Sequence, residues 1–324
     1  MKNDFRTVFE PLTSELRLSH SSKIYLSGSC FTENIGKKLG DLKFQALANP
    51  FGISYNPISI HNTLCLNTNS EVKSTEVEGI HFSYDLHSEM NSNSELSFQG
   101  NIKEVIAKQD VILNSESTII LSYGTAWVYE EKATGKIVNN CQKQPSALFT
   151  KRLLSVAEIV ESWKHTKKYL DEKYPSKNYI FTISPVRHLK DGFRENQLSK
   201  SILHVAVEEI CSVDNKCHYF PAYELLLDDL RDYRFYKDDL LHPNETAIHY
   251  IWENFSETYF AKGTQLINQQ VEKINTSLQH RAFQPDSVKH QQFLLKLKSK
   301  IKAFQLANDL DFQTEIEFLK QQIL

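Results

Sequence analysis

Four short apolar segments alternate with amphipathic helical patterns along the first 260 residues, and this alternation limits the fold more than any other feature. The segments cover residues 23–27, 118–124, 178–184 and 218–223. Their apolar runs are nearly continuous, as in strands that are covered on both faces. Strand, helix, strand, helix predicts an α/β three-layer sandwich with a mainly parallel sheet and helices on both faces.

Helical patterns lie between these segments. Residues 31–42 place their apolar side chains on one stripe, and residues 199–210 and 244–260 do the same. Ser155 and Glu158 have the spacing of a capping box, which predicts that a helix begins there. In a parallel sheet of this kind, ligands bind at the carboxyl ends of the strands, so the residues after each strand are the ones to examine for chemistry.

Two regions depart from this alternation. Residues 45–115 are polar and rich in Asn and Ser, and we interpret them as an irregular insertion with short strands. Residues 262–324 carry three apolar stripes at helical spacing, which predicts a helical tail after an α/β domain of residues 1–261. The tail could pack on the sheet or join two copies of the chain into a homo-oligomer.

Composition excludes several classes of protein. The chain has 37 Lys and Arg against 40 Asp and Glu, and a net charge of -3 argues against a nucleic-acid binder. No apolar run approaches the roughly 18 residues of a membrane span, and the N-terminus has no apolar signal core. The five cysteines do not have the spacing of a disulfide scaffold or a zinc site, which favours reduced thiols in the cytoplasm.

The first strand leads directly into Gly28-Ser29-Cys30, and a helix follows at once. Glycine permits a tight turn, and the next side chains stand at a helix N-terminus. The free amides and partial positive charge there favour a thiolate or a developing oxyanion. Cys30 is therefore a candidate nucleophile, with Ser29 as the alternative. A buried, inert cysteine is the competing interpretation.

Asp239 stands three residues before His242 in a loop near the end of the α/β region. This spacing lets a carboxylate hold one imidazole nitrogen while the other acts as a general base. Asp238 is the competing carboxylate. The same carboxylates with His242 and His249 could suggest a metal, but no third strong ligand has fitting spacing, so we predict no metal. No phosphate-binding glycine-rich loop is present, and we predict no cofactor.

Together the two motifs resemble those of the SGNH (GDSL-type) hydrolases, whose first block ends in a nucleophilic serine and whose last block is Asp-x-x-His. The run Gly28-Ser-Cys-Phe-Thr32 more specifically resembles the GSCFA family within that superfamily, although Thr32 replaces the final Ala. Segments 49–57, 124–127, 184–188 and 232–236 are also similar to that family. The resemblance implies a flavodoxin-like sheet and aligns Cys30 with the nucleophile and Asp239 and His242 with its partners.

The superfamily usually supplies an oxyanion donor from Gly-x-Asn in its third block, but here the segment is Gly124-Thr-Ala. The oxyanion would then need other donors. Candidates are the amides of Cys30 and of Gly52 or Gly124, with help from Asn49 or Asn140. Arg187 and His188 follow the third predicted strand and are candidates for binding an anion or a carbonyl group.

These expectations lead to a hydrolase that cleaves or transfers an acyl group from an ester, on a carbohydrate or a small acylated substrate. Cys30 would attack, His242 would take the proton, and Asp239 would orient the imidazole. Two alternatives stay open. One is a non-catalytic module that binds a glycan or peptide in a decayed pocket, and the other is an O-acyltransferase with the same residues.

Overall fold

The computed structural model describes residues 7, 9, 10, 12–280 and 282–324. In chain order its strands and helices are β1 (Lys23–Gly28), α1 (Cys30–Asp41), β2 (Gln45–Ala48), α2 (Pro57–Leu64), β3 (Thr75–Val77), β4 (Ile80–Phe82), α3 (Glu95–Leu113), β5 (Ser117–Tyr123), β6 (Trp127–Glu131), β7 (Ile137–Val138), β8 (Phe149–Leu153), α4 (Val156–Lys173), β9 (Lys177–Ile183), α5 (Phe193–Ser212), β10 (Cys217–Tyr219), α6 (Ala222–Glu224), α7 (Glu245–Tyr259), α8 (Lys262–Leu278), α9 (Val288–Asn308) and α10 (Gln313–Gln322).

A parallel sheet with the strand order β10-β9-β5-β1-β2 forms the centre of the molecule. This is the 2-1-3-4-5 order of flavodoxin-like sheets. The order in which successive strands are added to the sheet reverses between β1 and β5. Gly28 at the end of β1 lies opposite Ser122 of β5. The loops after β1, β5 and β9 therefore meet at one edge.

Both faces of the sheet are buried. On β1, Ile24 and Leu26 pack with α1, α7 and the tail, whereas Tyr25 between them packs toward the other side with α4 and α5. Such alternation follows from the two-residue repeat of a strand. The two covered faces give the three layers, so the predicted α/β sandwich with a mainly parallel sheet is confirmed.

The four predicted strands are present as β1, β5, β9 and β10, with shifted ends. The last is shorter than predicted and ends at Tyr219, because Pro221 cannot donate to a ladder and Ala222 begins a helix. The capping box is also present: Ser155 Oγ accepts from Glu158 N at 3.2 Å, and the Glu158 carboxylate accepts from Ser155 N at 2.8 Å.

The interpretation of residues 45–115 as an irregular insertion is wrong. Its first residues form β2, which pairs with β1 at the edge of the central sheet. It also contains α2 and the 19-residue α3, and α3 buries Phe98, Ile102 and Ile106 over a separate apolar cluster. Only the β3–β4 hairpin corresponds to the short strands we expected.

The tail helices pack on the sheet domain rather than standing apart. Val271 and Ile274 of α8 and Ile301 of α9 are fully buried in the same cluster as Ile24 and Leu26 of β1. The three predicted apolar stripes thus pack in this cluster, and association of two copies through other faces of the tail stays a prediction. None of the helices in the described ranges has the length and apolar content to cross a bilayer.

Candidate active site

The turn after β1 requires glycine at position 28. Gly28 has a φ of +144°, and a Cβ there would lie 2.2 Å from the carbonyl oxygen of Ser122 on the neighbouring strand. Only glycine tolerates both the positive φ and this close approach. The chain can therefore turn at the edge of the sheet and enter α1 two residues later.

Ser29 is the N-cap of α1. Its side chain is buried, accepts a hydrogen bond from Phe31 N at 3.3 Å and lies 2.8 Å from Ser122 Oγ. A serine at the N-cap of a helix normally accepts such a hydrogen bond. The Ser29 hydroxyl thus bonds to the helix and to β5, and Ser29 also lines the larger of the two cavities described below.

Cys30 is the first residue of α1 and is half-buried. Its backbone amide donates no hydrogen bond to any described residue, as is usual in the first turn of a helix. The Cys30 carbonyl accepts from Asn34 Nδ2 at 2.9 Å, which fixes this first turn. Cys30 thus presents a thiol and a free amide at the same point.

Asn49 holds the turn from the side. Its Oδ1 accepts from Gly28 N at 2.9 Å and from Thr32 Oγ1 at 3.1 Å. Thr32, where the resembled family has Ala, uses its hydroxyl here and also donates to Ser29 O at 2.6 Å. Asn49 lines neither cavity described below, so the structure shows it bracing the turn rather than facing a substrate.

His242 and Asp239 form a close pair in the loop before α7. His242 Nδ1 lies 2.6 Å from Asp239 Oδ2, and Asp239 Oδ1 accepts from the amides of Leu241 and His242 at 2.9 Å each. These hydrogen bonds lower the pKa of Asp239 to about 2, the backbone amides first and the imidazole after them. An ionised carboxylate can only accept, so Nδ1 carries the proton and Nε2 is free to act as a base.

Cys30 and His242 line the same two cavities. The smaller has a volume of about 230 Å³, and we call it the apolar cavity after the majority of its side chains, although Glu33, Asn34 and Lys237 also line it. The larger has a volume of about 720 Å³, and we call it the polar cavity after its charged and amide side chains, although apolar atoms also form much of its surface. Apolar walls of the first come from Phe31, Ile35, Val186, Pro243, Ile248 and Ile251. Ser184 and Val186 after β9 also line both cavities, so the thiol and the imidazole lie where the two meet.

Neither glycine predicted as an oxyanion donor reaches these cavities. Gly52 N donates to Asn49 O at 2.8 Å within a turn, and Gly124 N donates to Tyr55 O at 2.7 Å. An amide that is already donated cannot stabilise an oxyanion without breaking its bond. Gly52 is instead required for its shape, since it has a φ of +80° and a Cβ would lie 2.4 Å from His87.

Tyr55 is a site residue that the sequence analysis missed. Its side chain lines the polar cavity with Cys30, and its ring packs edge-on against His188 with centroids 5.3 Å apart. Burial is the main cause that raises the pKa of Tyr55 to about 12, and the neighbouring Cys30 and Glu33 raise it further. The phenol thus stays protonated and can donate close to the thiol.

Arg187 and His188 both line the polar cavity, as predicted from their place after β9. Burial lowers the pKa of His188 to about 4; the charges of Lys200 and His242 also lower it, and Asp191 opposes them. The imidazole is therefore neutral near pH 7. The backbone amide of His188 donates to Asn196 Oδ1 of α5 at 2.9 Å, which fixes the loop after β9.

Two asparagines after β7 complete the polar cavity. Asn140 was predicted, and its Oδ1 accepts from Gln142 N at 2.8 Å. Asn139 next to it was not chosen as a candidate. Both polar atoms of its side-chain amide are buried without a hydrogen-bond partner among the described residues. Buried side-chain amides are nearly always hydrogen-bonded, so the amide of Asn139 is unusual.

Lys200 lies beneath the site and was also missed. It is fully buried on α5, and its ammonium donates to Gly124 O and Ser184 O at 2.6 Å each. Burial lowers the pKa of Lys200 to about 7. The residue thus ties together the loops after β5 and β9. A lysine within the apolar repeat of a helix is the sequence signal that could have identified it.

Two family models together match most of the chain. The family model described as GSCFA family matches residues 23–255, and the model described as GSCFA domain protein, C-terminal domain, matches residues 271–324. No curated protein matches the chain. A solved structure described as a proposed platelet activating factor from Streptococcus pneumonia is similar at 12% identity and a TM-score of 0.37, covering 75% of this chain and 85% of that one.

Proposed function

The chain belongs to the GSCFA family, and from this premise we propose that it is an SGNH-like hydrolase that cleaves, or transfers, an acyl group from an ester through Cys30, His242 and Asp239. The observation that carries the proposal is that Cys30 and His242, more than two hundred residues apart in the chain, line the same two cavities. Asp239 already holds the imidazole in the tautomer a base requires.

The reaction begins with His242 Nε2 removing the thiol proton as Cys30 Sγ attacks the ester carbonyl. The tetrahedral intermediate collapses, the carbon–oxygen bond to the alcohol breaks, and His242 returns the proton to the leaving alkoxide. A thioester on Cys30 remains. Water, or a second alcohol in the transfer reaction, then loses a proton to His242 and attacks the thioester, which releases the acid or the new ester and restores the thiol.

The oxyanion of the intermediate needs donors that are not already used. The free amide of Cys30 is one, because it stands at the N-terminus of α1. The Tyr55 hydroxyl is the second, in place of the asparagine side chain that the superfamily usually provides. Tyrosine hydroxyls are among the groups that form oxyanion holes.

The test is acyl release from small chromogenic acetyl esters. We expect Cys30→Ala and His242→Ala each to reduce the rate to that of the uncatalysed reaction. Ser29→Ala is the matched control, because it removes the neighbouring hydroxyl but keeps the thiol, and it should retain activity. Equal activity in the wild type, Cys30→Ala and His242→Ala would refute the proposal.

Alkylation separates an enzyme from a binding module with a decayed site. Burial raises the pKa of the Cys65, Cys141 and Cys211 thiols, in the case of Cys211 to about 12. We expect iodoacetamide at neutral pH to modify Cys30 first, because burial holds the other three thiols in the unreactive protonated form, whereas His242 lines the same cavities as Cys30. Modification of Cys30 no faster than of the other three would favour the binding module.

A further inference from the structure

The guanidinium of Arg187 has no partner among the residues that the structure describes. It lines the polar cavity, and no described residue forms a hydrogen bond or an ion pair with it. Arg152, by contrast, forms ion pairs with Glu130 at 2.6 Å and Glu158 at 2.7 Å. A half-buried guanidinium with its donors unused is suited to bind a planar or tetrahedral anion.

The surroundings of Arg187 show where its charge acts. Its charge opposes the rise in pKa that burial causes at Tyr223 and Tyr236. Both tyrosines belong to segments that follow β10 in the chain, so the charge of Arg187 acts on these segments, and no described carboxylate forms an ion pair with it.

The polar cavity is cationic although the chain as a whole is acidic. Among the described residues, its lining includes Lys151, Arg187 and Lys190 but one carboxylate, Asp191, which is bonded to Lys151. A cavity that concentrates one sign of charge attracts ligands of the opposite sign. Because the chain as a whole has a net charge of -3, the positive charge is a property of this cavity and not of the whole surface.

The second polar feature is the side-chain amide of Asn139 in the same cavity. Both its nitrogen and its oxygen are buried without a partner in the described structure. A buried amide in this state is paired when a ligand supplies a donor and an acceptor, as a hydroxyl group does. Arg187 and Asn139 together point to an oxygen-rich ligand.

We propose that the polar cavity binds an alcohol that carries an anionic oxygen group, with Arg187 on the anion and Asn139 on a hydroxyl. This inference rests on the proposed function, in which that alcohol is the leaving group. The acyl group then lies in the apolar cavity of about 230 Å³, since Cys30 and His242 stand between the two. The substrates are acyl esters of acidic alcohols, with either a carboxylate or a phosphate as the anion.

The experiment compares esters that differ in charge alone. 3-Acetoxybenzoate and its neutral isostere 3-acetoxybenzamide are hydrolysed by the wild type, and each kcat/KM is divided by the rate of the same ester with hydroxide. We expect a preference for the anionic ester of about tenfold or more, which added salt weakens. A third ester, 3-acetoxyphenyl phosphate, shows which anion is preferred.

The variant Arg187→Met should lose this preference, and Arg187→Lys, which keeps the charge but not the planar donors, should retain part of it. Arg194→Met is the matched control, since Arg194 is exposed, pairs with Glu195 and does not line the cavity. It should behave as the wild type. Equal normalised rates for the two esters in the wild type, or a preference that survives in Arg187→Met, would overturn the inference.

A second readout needs no turnover, so the failure of one proposal can be told from the failure of the other. The alcohol 3-hydroxybenzoate should protect Cys30 from iodoacetamide better than 3-hydroxybenzamide in the wild type but not in Arg187→Met. If no ester is cleaved and this protection is seen, the anion site stands without the hydrolase. Equal protection by both alcohols would refute the proposed anion site, even if Cys30-dependent hydrolysis is found.

Discussion

Two neighbouring residues, Ser29 and Cys30, carry different tasks in one turn. Ser29 accepts from the amide of Phe31, contacts Ser122 and lines only the polar cavity, whereas Cys30 lines both cavities. The sequence predicted the strand, the turn and the helix N-terminus, and hence the region of the nucleophile. It could not show that the Ser29 hydroxyl is hydrogen-bonded within the protein, because its partner Ser122 lies on β5, about ninety residues away in the chain.

The oxyanion donors show the same limit at the scale of single amides. Gly52 and Gly124 looked suitable because glycine allows close approach, but both amides are donated to carbonyls, Gly52 to Asn49 and Gly124 to Tyr55. Such pairings are tertiary and leave no sequence pattern. Tyr55 was overlooked for the same reason, since nothing in its neighbourhood along the chain connects it with Cys30.

Replacing Tyr55 with Phe tests the second oxyanion donor. The change removes one hydroxyl and keeps the ring that packs on His188. Loss of one oxyanion donor should lower kcat by about 10²-fold, with KM changed little, because the bond strengthens only in the transition state. Steady-state kinetics on an acetyl ester measure both constants. A higher KM at unchanged kcat would assign Tyr55 to substrate binding instead.

His61 is the residue that should make the fold sensitive to acid. Its Nδ1 lies 2.8 Å from Ser162 Oγ and its Nε2 lies 2.6 Å from the Tyr123 hydroxyl, and burial lowers its pKa to about 3. Between about pH 6.5 and 3 the unfolded chain therefore holds a proton that the folded chain does not. Stability is then complete above this range and falls as the pH falls through it.

The matched variant is His61→Gln, followed by urea unfolding at neutral pH and at about pH 5. The wild type should lose about 2 kcal/mol more than the variant between the two conditions. The variant is expected to be less stable at neutral pH, because both hydrogen bonds are disturbed. An identical loss in both proteins would show that His61 is not the group that titrates.

At the scale of elements, α5 positions the site without lining it. Lys200 binds the carbonyls of Gly124 and Ser184, Ser199 Oγ accepts from Ala126 N at 2.7 Å, and Asn196 holds the amide of His188. One helix therefore fixes the loops after β5 and β9. The apolar repeat of α5 was readable in the sequence, but the partners of its polar side chains were not.

Lys200→Met should separate this helix from the loops that it holds. The variant leaves two buried carbonyls unpaired, so we expect kcat/KM on acetyl esters to fall by about tenfold or more.

Since burial lowers the pKa of Lys200 to about 7, the unfolded wild type holds an extra proton from about pH 7 to 10.5. Wild-type stability should rise through this range relative to the variant.

Urea unfolding of both proteins at neutral and alkaline pH measures that difference. Lys167→Met is a control, because Lys167 of α4 pairs with Asp171 in the same helix and with Asp214 after α5, and it forms no hydrogen bond or ion pair with the described residues of the loops after β5 and β9. It should leave the ester kinetics unchanged. If Lys200→Met kept full kcat/KM, the role of α5 in positioning the loops would be rejected.

Other elements show why the insertion was misread. β2 is a four-residue edge strand with little burial, and its sequence, Gln-Ala-Leu-Ala, has no strong strand preference. α3 begins in a run of Asn and Ser, which predicted loops. Its buried side chains Phe98, Ile102, Ile106 and Leu113 do follow helical spacing, so a wider window on the sequence would have found this helix.

At the scale of the molecule, the central sheet and the tail share one apolar core. Ile301 of α9 is fully buried in the cluster that contains Ile24 and Leu26. Lys43 after α1 also pairs with Glu315 of α10 at 2.5 Å, and Asn275 donates to Asp41 O at 2.8 Å. We therefore propose that residues 262–324 unfold with the sheet rather than before it.

Ile301→Ala tests this coupling. Removing the buried side chain should lower the free energy of unfolding by about 2–5 kcal/mol and keep a single transition. Leu306→Ala in the same helix is the control, since Leu306 is 84% exposed and its loss should change stability by less than about 0.5 kcal/mol. Two separate transitions, with only the first shifted by Ile301→Ala, would show that the tail is an independent unit.

The central claim is that Cys30 and His242 act on one substrate carbonyl, and the acyl-enzyme is its most direct test. The protein is mixed with an acetyl ester, quenched in acid and digested, and the site of acetylation is found by mass spectrometry. We expect a single acetyl thioester on Cys30 that forms much more slowly in His242→Ala. An acetyl group on Ser29 or another residue, or equally rapid labelling of Cys30 without His242, would contradict the account.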